Sequence, residues 1–157
     1  MKEVISNMSK AKFSLFAAFA TLFGDLIIVN YLYRKFSNPA LYQEAIKLAL
    51  QMQNQTGAIP PELAQDLHQL AMNSLIFMLT FYVLIHLVTI LFFIKGREFA
   101  WNYIRILAKV GAPGMILWGL FTMTTPYAGL LFIVQGILYA ALTYGINIHR
   151  KPKSAAR

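Results

Sequence analysis

A single carboxylate, Asp25, interrupts the apolar stretch 21-TLFGDLIIVNYL-32. An imidazole, His86, interrupts 75-LIFMLTFYVLIHLVTILFFI-94, and an amide, Gln135, breaks a third apolar run. A carboxylate near an imidazole can hold or pass a proton, or bind a small cation, and neighbouring hydroxyls and amides can extend such a path. The residues with the right chemistry are Asp25, His86, Thr21, Tyr82, Thr89, Gln135 and Tyr139. Helical spacing groups them. Ser14, Ala18, Thr21 and Asp25 follow i, i+4, i+7 and i+11, Tyr82, His86 and Thr89 share a face, and Gln135 and Tyr139 stand one turn apart. A bland reading competes: Asp25 pairs with a neighbouring helix and only ties helices or subunits together, at about 0.6 kcal/mol per interhelical polar bond.

Four elements must carry these groups. The chain has 157 residues, 58% hydrophobic and 13% charged, with a mean hydropathy of +0.55. Soluble domains stay near 45–50% apolar. The excess sits in four runs, roughly 13–33, 75–94, 104–124 and 126–148, each close to the ~20 residues that cross a bilayer core. None alternates with period two, so these are spanning helices, not strands. The first run is read as a retained membrane helix and not as a signal peptide, since only about five apolar residues precede Ala18-Phe19-Ala20 and the run continues to Tyr33. The expected fold is an all-α integral membrane protein, a four-helix antiparallel transmembrane bundle forming one membrane domain.

Charge sets the expected orientation. Eleven of the 14 Lys and Arg residues flank the helix ends on one side, and only Arg34, Lys35 and Lys47 lie on the other. By the positive-inside rule both termini are cytoplasmic. The net charge of +8 is therefore a topology signal and not a nucleic-acid footprint. The tail 149–157 adds a patch for anionic lipid at about 1 kcal/mol per basic residue. The bacterial inner membrane is the expected location.

Segment 39–74, between the first two spans, is read as an extramembrane helical hairpin. Ser37 or Asn38 before Pro39 is an N-cap with proline at the first helical position. Gln55-Thr56-Gly57 ends that helix and Pro60-Pro61-Glu62 starts another, which no breaker interrupts before Phe93. Leu63, Leu67 and Leu70 give it an apolar stripe, a candidate partner-docking face. The sequon Asn54-Gln55-Thr56 is read as coincidence. A basic turn, 95–105, places Trp101 and Tyr103 at the interface, and Thr124-Thr125-Pro126 joins the last two spans tightly.

Counting 1.5 Å per residue from the cytoplasmic ends puts Asp25 about 18 Å deep, His86 about 12 Å, Pro113 about 13 Å and Gln135 about 18–20 Å. A charge at such depth costs about 2.5–3.5 kcal/mol on insertion scales. Gly111, Pro113 and Gly114 form a candidate kink or hinge. No cysteine is present, which excludes disulfides and thiolate ligands, and the three histidines lie at different depths. Ser74 and His86 stand about 18 Å apart on one helix, too far for a dyad. Neither catalysis nor a cofactor or metal is expected. The functional expectation is a small channel- or transporter-like protein with Asp25 on a proton or small-cation pathway, working as an oligomer. The alternative is a non-catalytic subunit or scaffold of a membrane complex, docked through the helical hairpin.

Overall fold

The structure, a computed structural model, describes residues 2–52 and 60–149. It consists of six helices: α1 (Lys2–Ser6), α2 (Lys10–Phe36), α3 (Pro39–Met52), α4 (Pro61–Ile94), α5 (Glu98–Phe121) and α6 (Pro126–His149). No strand occurs among the described residues. Four helices, α2, α4, α5 and α6, are long and apolar enough to cross a membrane. The helix stop expected at Gln55-Thr56-Gly57, the Asn54 sequon and the basic tail beyond His149 lie outside the described residues.

The chain divides into two units, Met1–Ile27 with Leu84–Arg157, and Ile28–Val83. Helices α2 and α4 each contribute residues to both.

Local chemistry explains the boundaries. Asn38 caps α3, its Oδ1 accepting the Ala40 N–H at 3.1 Å, while the Ser37 hydroxyl donates instead to Arg34 O. Helix α4 runs 34 residues without a break. In the second unit His68 Nε2 lies 3.0 Å from Phe36 O, and its ring stands 5.1 Å from that of Tyr42.

One sequence expectation fails at the end of α4. The turn there is Lys95–Arg97, not 95–105, and α5 begins at Glu98, six residues before the expected 104. The reason is Gly96, whose φ of 76° places it in the left-handed region. Its N–H donates to Phe93 O and the Arg97 N–H to Phe92 O, a Schellman closure that reverses the chain within three residues. Glu98 then sits in the first turn of α5, where the helix dipole favours an acid. Trp101 therefore stands one turn inside a helix and is 5% exposed, packed in the core. Its indole stacks on Phe93 at 4.4 Å, meets Phe13 at 6.1 Å, and lies 5.6 Å from Lys10 Nζ.

The short helix α1, which no sequence pattern announced, packs on α6. Ile5 is buried, an added Cβ on Gly145 would stand 2.9 Å from its side chain, and the His149 ring donates to Ile5 O at 3.0 Å. The His149 ring also stacks on Phe13 at 4.7 Å.

Helices α5 and α6 meet through glycines. A Cβ on Gly119 would lie 2.7 Å from Gly129 O, and one on Gly136 would lie 2.9 Å from Ala112 O. A Cβ on Gly111 would strike the Tyr139 ring at 2.7 Å. The contacts descend α6 as they climb α5, the register of an αα-hairpin. Small residues permit this backbone approach, the usual means of packing helices in lipid. Polarity is arranged to match. Ser14, Thr21, Asp25, His86, Thr89 and Gln135 are buried, whereas Leu15, Phe19, Leu26, Val110 and Phe121 are exposed. That is the inverse of a soluble surface and the pattern expected of helices facing acyl chains.

Gly114 differs from the other α5 glycines, because a Cβ there meets nothing within 4 Å. Gly114→Ala should leave thermal stability in detergent unchanged or raise it by up to about 1 kcal/mol. Gly119→Ala should lower it by about 1–3 kcal/mol, since the methyl meets backbone that cannot give way. Equal melting temperatures for the two variants would contradict this packing.

Candidate functional site

The first unit brings together polar groups from four helices. Asp25 is carried on the buried face of α2, where Ala17, Ala20, Thr21 and Gly24 also point inward. The polar stripe that begins at Ser14 is thus enclosed by the protein. Asp25 is 2% exposed, and its Oδ1 lies 2.6 Å from His86 Nδ1 on α4. His86 is also 2% exposed. Its other nitrogen, Nε2, lies 2.7 Å from the hydroxyl of Tyr103 on α5, whose ring is edge-on to the imidazole at a centroid distance of 5.7 Å. Tyr103 itself is 37% exposed. An unbroken hydrogen-bonded chain therefore leads from a half-exposed phenol to a fully enclosed carboxylate.

Two proton inventories satisfy both contacts. In one, a neutral imidazole donates Nδ1–H to the carboxylate and accepts the Tyr103 O–H at Nε2. In the other, one more proton is present. Both ring nitrogens then carry hydrogen, Nε2–H donates to the phenol oxygen, and the carboxylate balances the imidazolium. The states differ by one proton at Nε2, the atom that faces Tyr103.

Beside Ala20 and Gly24 of α2, Gln135 and Tyr139 of α6 complete the cluster. Gln135 is 0% exposed, and its Nε2 donates to Ala20 O at 2.8 Å, which orients the amide. Tyr139 is 1% exposed. A Cβ on Gly24 would stand 2.6 Å from Gln135 Nε2 and 2.6 Å from the Tyr139 hydroxyl. Gly111 flanks the same ring from α5. The tyrosine occupies a slot that only two glycines leave open.

Other sequence candidates play smaller parts. The Thr21 and Thr89 hydroxyls donate to carbonyls of their own helices, Ala17 O at 2.9 Å and Ile85 O at 2.8 Å, so both spend their protons locally. Tyr82 is half-buried one turn before His86, in the second unit. Pro113 lies inside a continuous α5 and is exposed. Gly111 and Gly114, placed together as a kink by the sequence, divide: one faces Tyr139, the other open space. Leu63 and Leu70 are exposed and Leu67 is half-buried.

Sequence reasoning placed Tyr103 at an interface and missed its bond to His86. The signal was present in the turn. With the chain reversing at Gly96, residues at comparable distances before and after it are brought to one level. Gly24 was also missed as the contact point for Gln135 and Tyr139.

Removing one member of a buried pair leaves the other uncompensated. His86→Ala should therefore destabilise the protein by about 3–5 kcal/mol, read as unfolding in mixed micelles. Replacing both, as Asp25→Leu with His86→Leu, should recover much of that loss. A His86→Ala protein as stable as the parent would mean that the contact carries no energy.

Among known proteins, no family, no curated sequence and no solved structure matches this chain.

Proposed function

We propose that this chain is a small multi-pass membrane protein that moves protons by way of an intramembrane acid, with Asp25 as the terminal group and Tyr103 as the point of entry. One observation carries the reading: the contact chain Tyr103 OH, His86 Nε2, His86 Nδ1, Asp25 Oδ1, with separations of 2.7 and 2.6 Å at its two hydrogen bonds. A proton arriving at the phenol oxygen lets Tyr103 release its own proton to Nε2, and the carboxylate stabilises the imidazolium that forms. A small cation remains the second candidate cargo for the same acid. The phenol–imidazole–carboxylate order favours the proton, since each member can both receive and give one.

In the proposed arrangement the four long helices form an antiparallel bundle with both termini in the cytoplasm of a bacterial inner membrane. The asymmetry of basic residues supports it. Helix α3 and the first turns of α4 would then project outside as a helical hairpin. A single bundle of four helices packs solid, so a complete path across the bilayer calls for a second copy or a partner chain. The exposure of Leu63 and Leu70 supports the alternative that α4 docks a subunit of a larger complex.

Asp25→Asn should abolish proton flux into proteoliposomes while the protein still extracts and melts as a folded species. Tyr103→Phe should slow the flux without changing the fold. An Asp25→Asn protein with full flux would end the proton reading. Orientation is testable because the chain has no native cysteine. In intact cells a membrane-impermeant maleimide should label Thr124→Cys, and should label Lys95→Cys only after permeabilisation. The reverse pattern would invert the topology.

A further inference from the structure

Three deeply buried oxygens, Asp25 Oδ2, Gln135 Oε1 and the Tyr139 hydroxyl, have no hydrogen-bond partner among the described residues. They belong to one neighbourhood. Asp25 follows Gly24 in α2, and the Gln135 amide and the Tyr139 hydroxyl both converge on the point above Gly24. The Gln135 nitrogen beside the phenol is a donor only: one hydrogen serves Ala20 O and the second can reach the phenol oxygen, so it offers the phenol proton no acceptor. That leaves two acceptors, one carboxylate and one amide oxygen, and one donor, the Tyr139 O–H.

We infer that one internal water molecule bridges Asp25 Oδ2, Gln135 Oε1 and the Tyr139 hydroxyl. Water matches this set group for group. Its two hydrogens go to Oδ2 and Oε1, and its oxygen accepts the phenol proton. Buried waters typically make about three hydrogen bonds to polar groups that would otherwise be unsatisfied. Two of the three partners are held in place: the amide by its bond to Ala20 O, and the phenol by the slot between Gly24 and Gly111. The bridge extends the polar chain from three helices to four. It runs from Tyr103 on α5 through His86 on α4 and Asp25 on α2 to Tyr139 on α6. This extension rests on the proton reading given above; the water site does not. With the bridge in place, Asp25 stands between two hydrogen-bonded arms, one to each carboxylate oxygen. A proton taken up through His86 then has an onward route through the water.

The test uses the full chain in lipid nanodiscs, exchanged between ordinary water and water labelled with oxygen-18. Infrared difference spectra should contain an O–H stretching band of an internal water that shifts with the isotope. Tyr139→Phe, which keeps the ring in its slot and removes only the hydroxyl, should lose or displace that band. Gln135→Glu, which keeps an acceptor, should retain a shifted one. Absence of an isotope-sensitive band in the parent protein would overturn the inference. So would a band unaffected by Tyr139→Phe, or one that disappears when sodium is added in place of choline, which would assign the oxygens to a cation. Flux measured on the same samples separates the two ideas. A band lost in Tyr139→Phe from a protein without flux leaves the water and removes the relay. Flux that needs Asp25 without any such band removes the water alone.

Discussion

An ionisable carboxylate enclosed among helices in a low-dielectric interior must find a partner or forfeit several kcal/mol. Much of this molecule's first unit is arranged around meeting that demand at Asp25. His86 satisfies one oxygen, and Tyr103 in turn fixes the far nitrogen of the imidazole. Because the three groups come from α2, α4 and α5, the demand of one side chain specifies the relative rotation of three helices. Apolar helices in lipid have little else to set that rotation, since acyl chains and leucine side chains are equivalent neighbours.

Glycine provides the complementary half of the specification. Polar contacts draw the helices to particular partners, and missing side chains decide how closely they approach. Gly119 and Gly129 bring the α5 and α6 backbones together, while Gly24 and Gly111 admit one tyrosine. The slot around Tyr139 makes the position of a hydroxyl depend on the absence of methyl groups on two other helices. A catalogue of polar residues alone would overlook half of what builds the cluster.

The four long helices were legible in the sequence because hydropathy sums over about twenty residues, so a single Asp25 or His86 does not erase it. The unbroken α4 was legible from the lack of any breaker after Pro61, and the Asn38 cap from its residue type before a proline. What escaped was short or three-dimensional. Five residues of α1 carry no readable period, and their burial depends on a helix that begins more than a hundred residues later. The early start of α5 turned on the left-handed conformation of Gly96, one glycine among nine. The burial of Trp101 was not legible because aromatic residues near a span suit both a surface and a core, and only the register chooses between them. Of the candidate residues, Asp25 and His86 bond directly, and Gln135 and Tyr139 meet beside Gly24. Thr21 and Thr89 share their depth but bond to their own helices, a choice that side-chain spacing does not reveal.

The separation of these partners along the chain has a consequence for how the protein is made. His86 follows Asp25 by 61 residues, and Gln135 follows Ala20 by 115. At about 5–20 residues per second, the ribosome adds Asp25 roughly 3–12 s before the imidazole that will meet its carboxylate exists. During that interval α2 must enter the bilayer on its own composition. Its nine Leu, Ile, Phe and Val residues between positions 15 and 29 each contribute about −0.3 to −0.6 kcal/mol, enough to offset the roughly 2.5–3.5 kcal/mol of one aspartate. The density of large apolar residues around Asp25 thus serves the newborn chain as much as the finished one: it holds an unpaired acid in the membrane until its partners are synthesised.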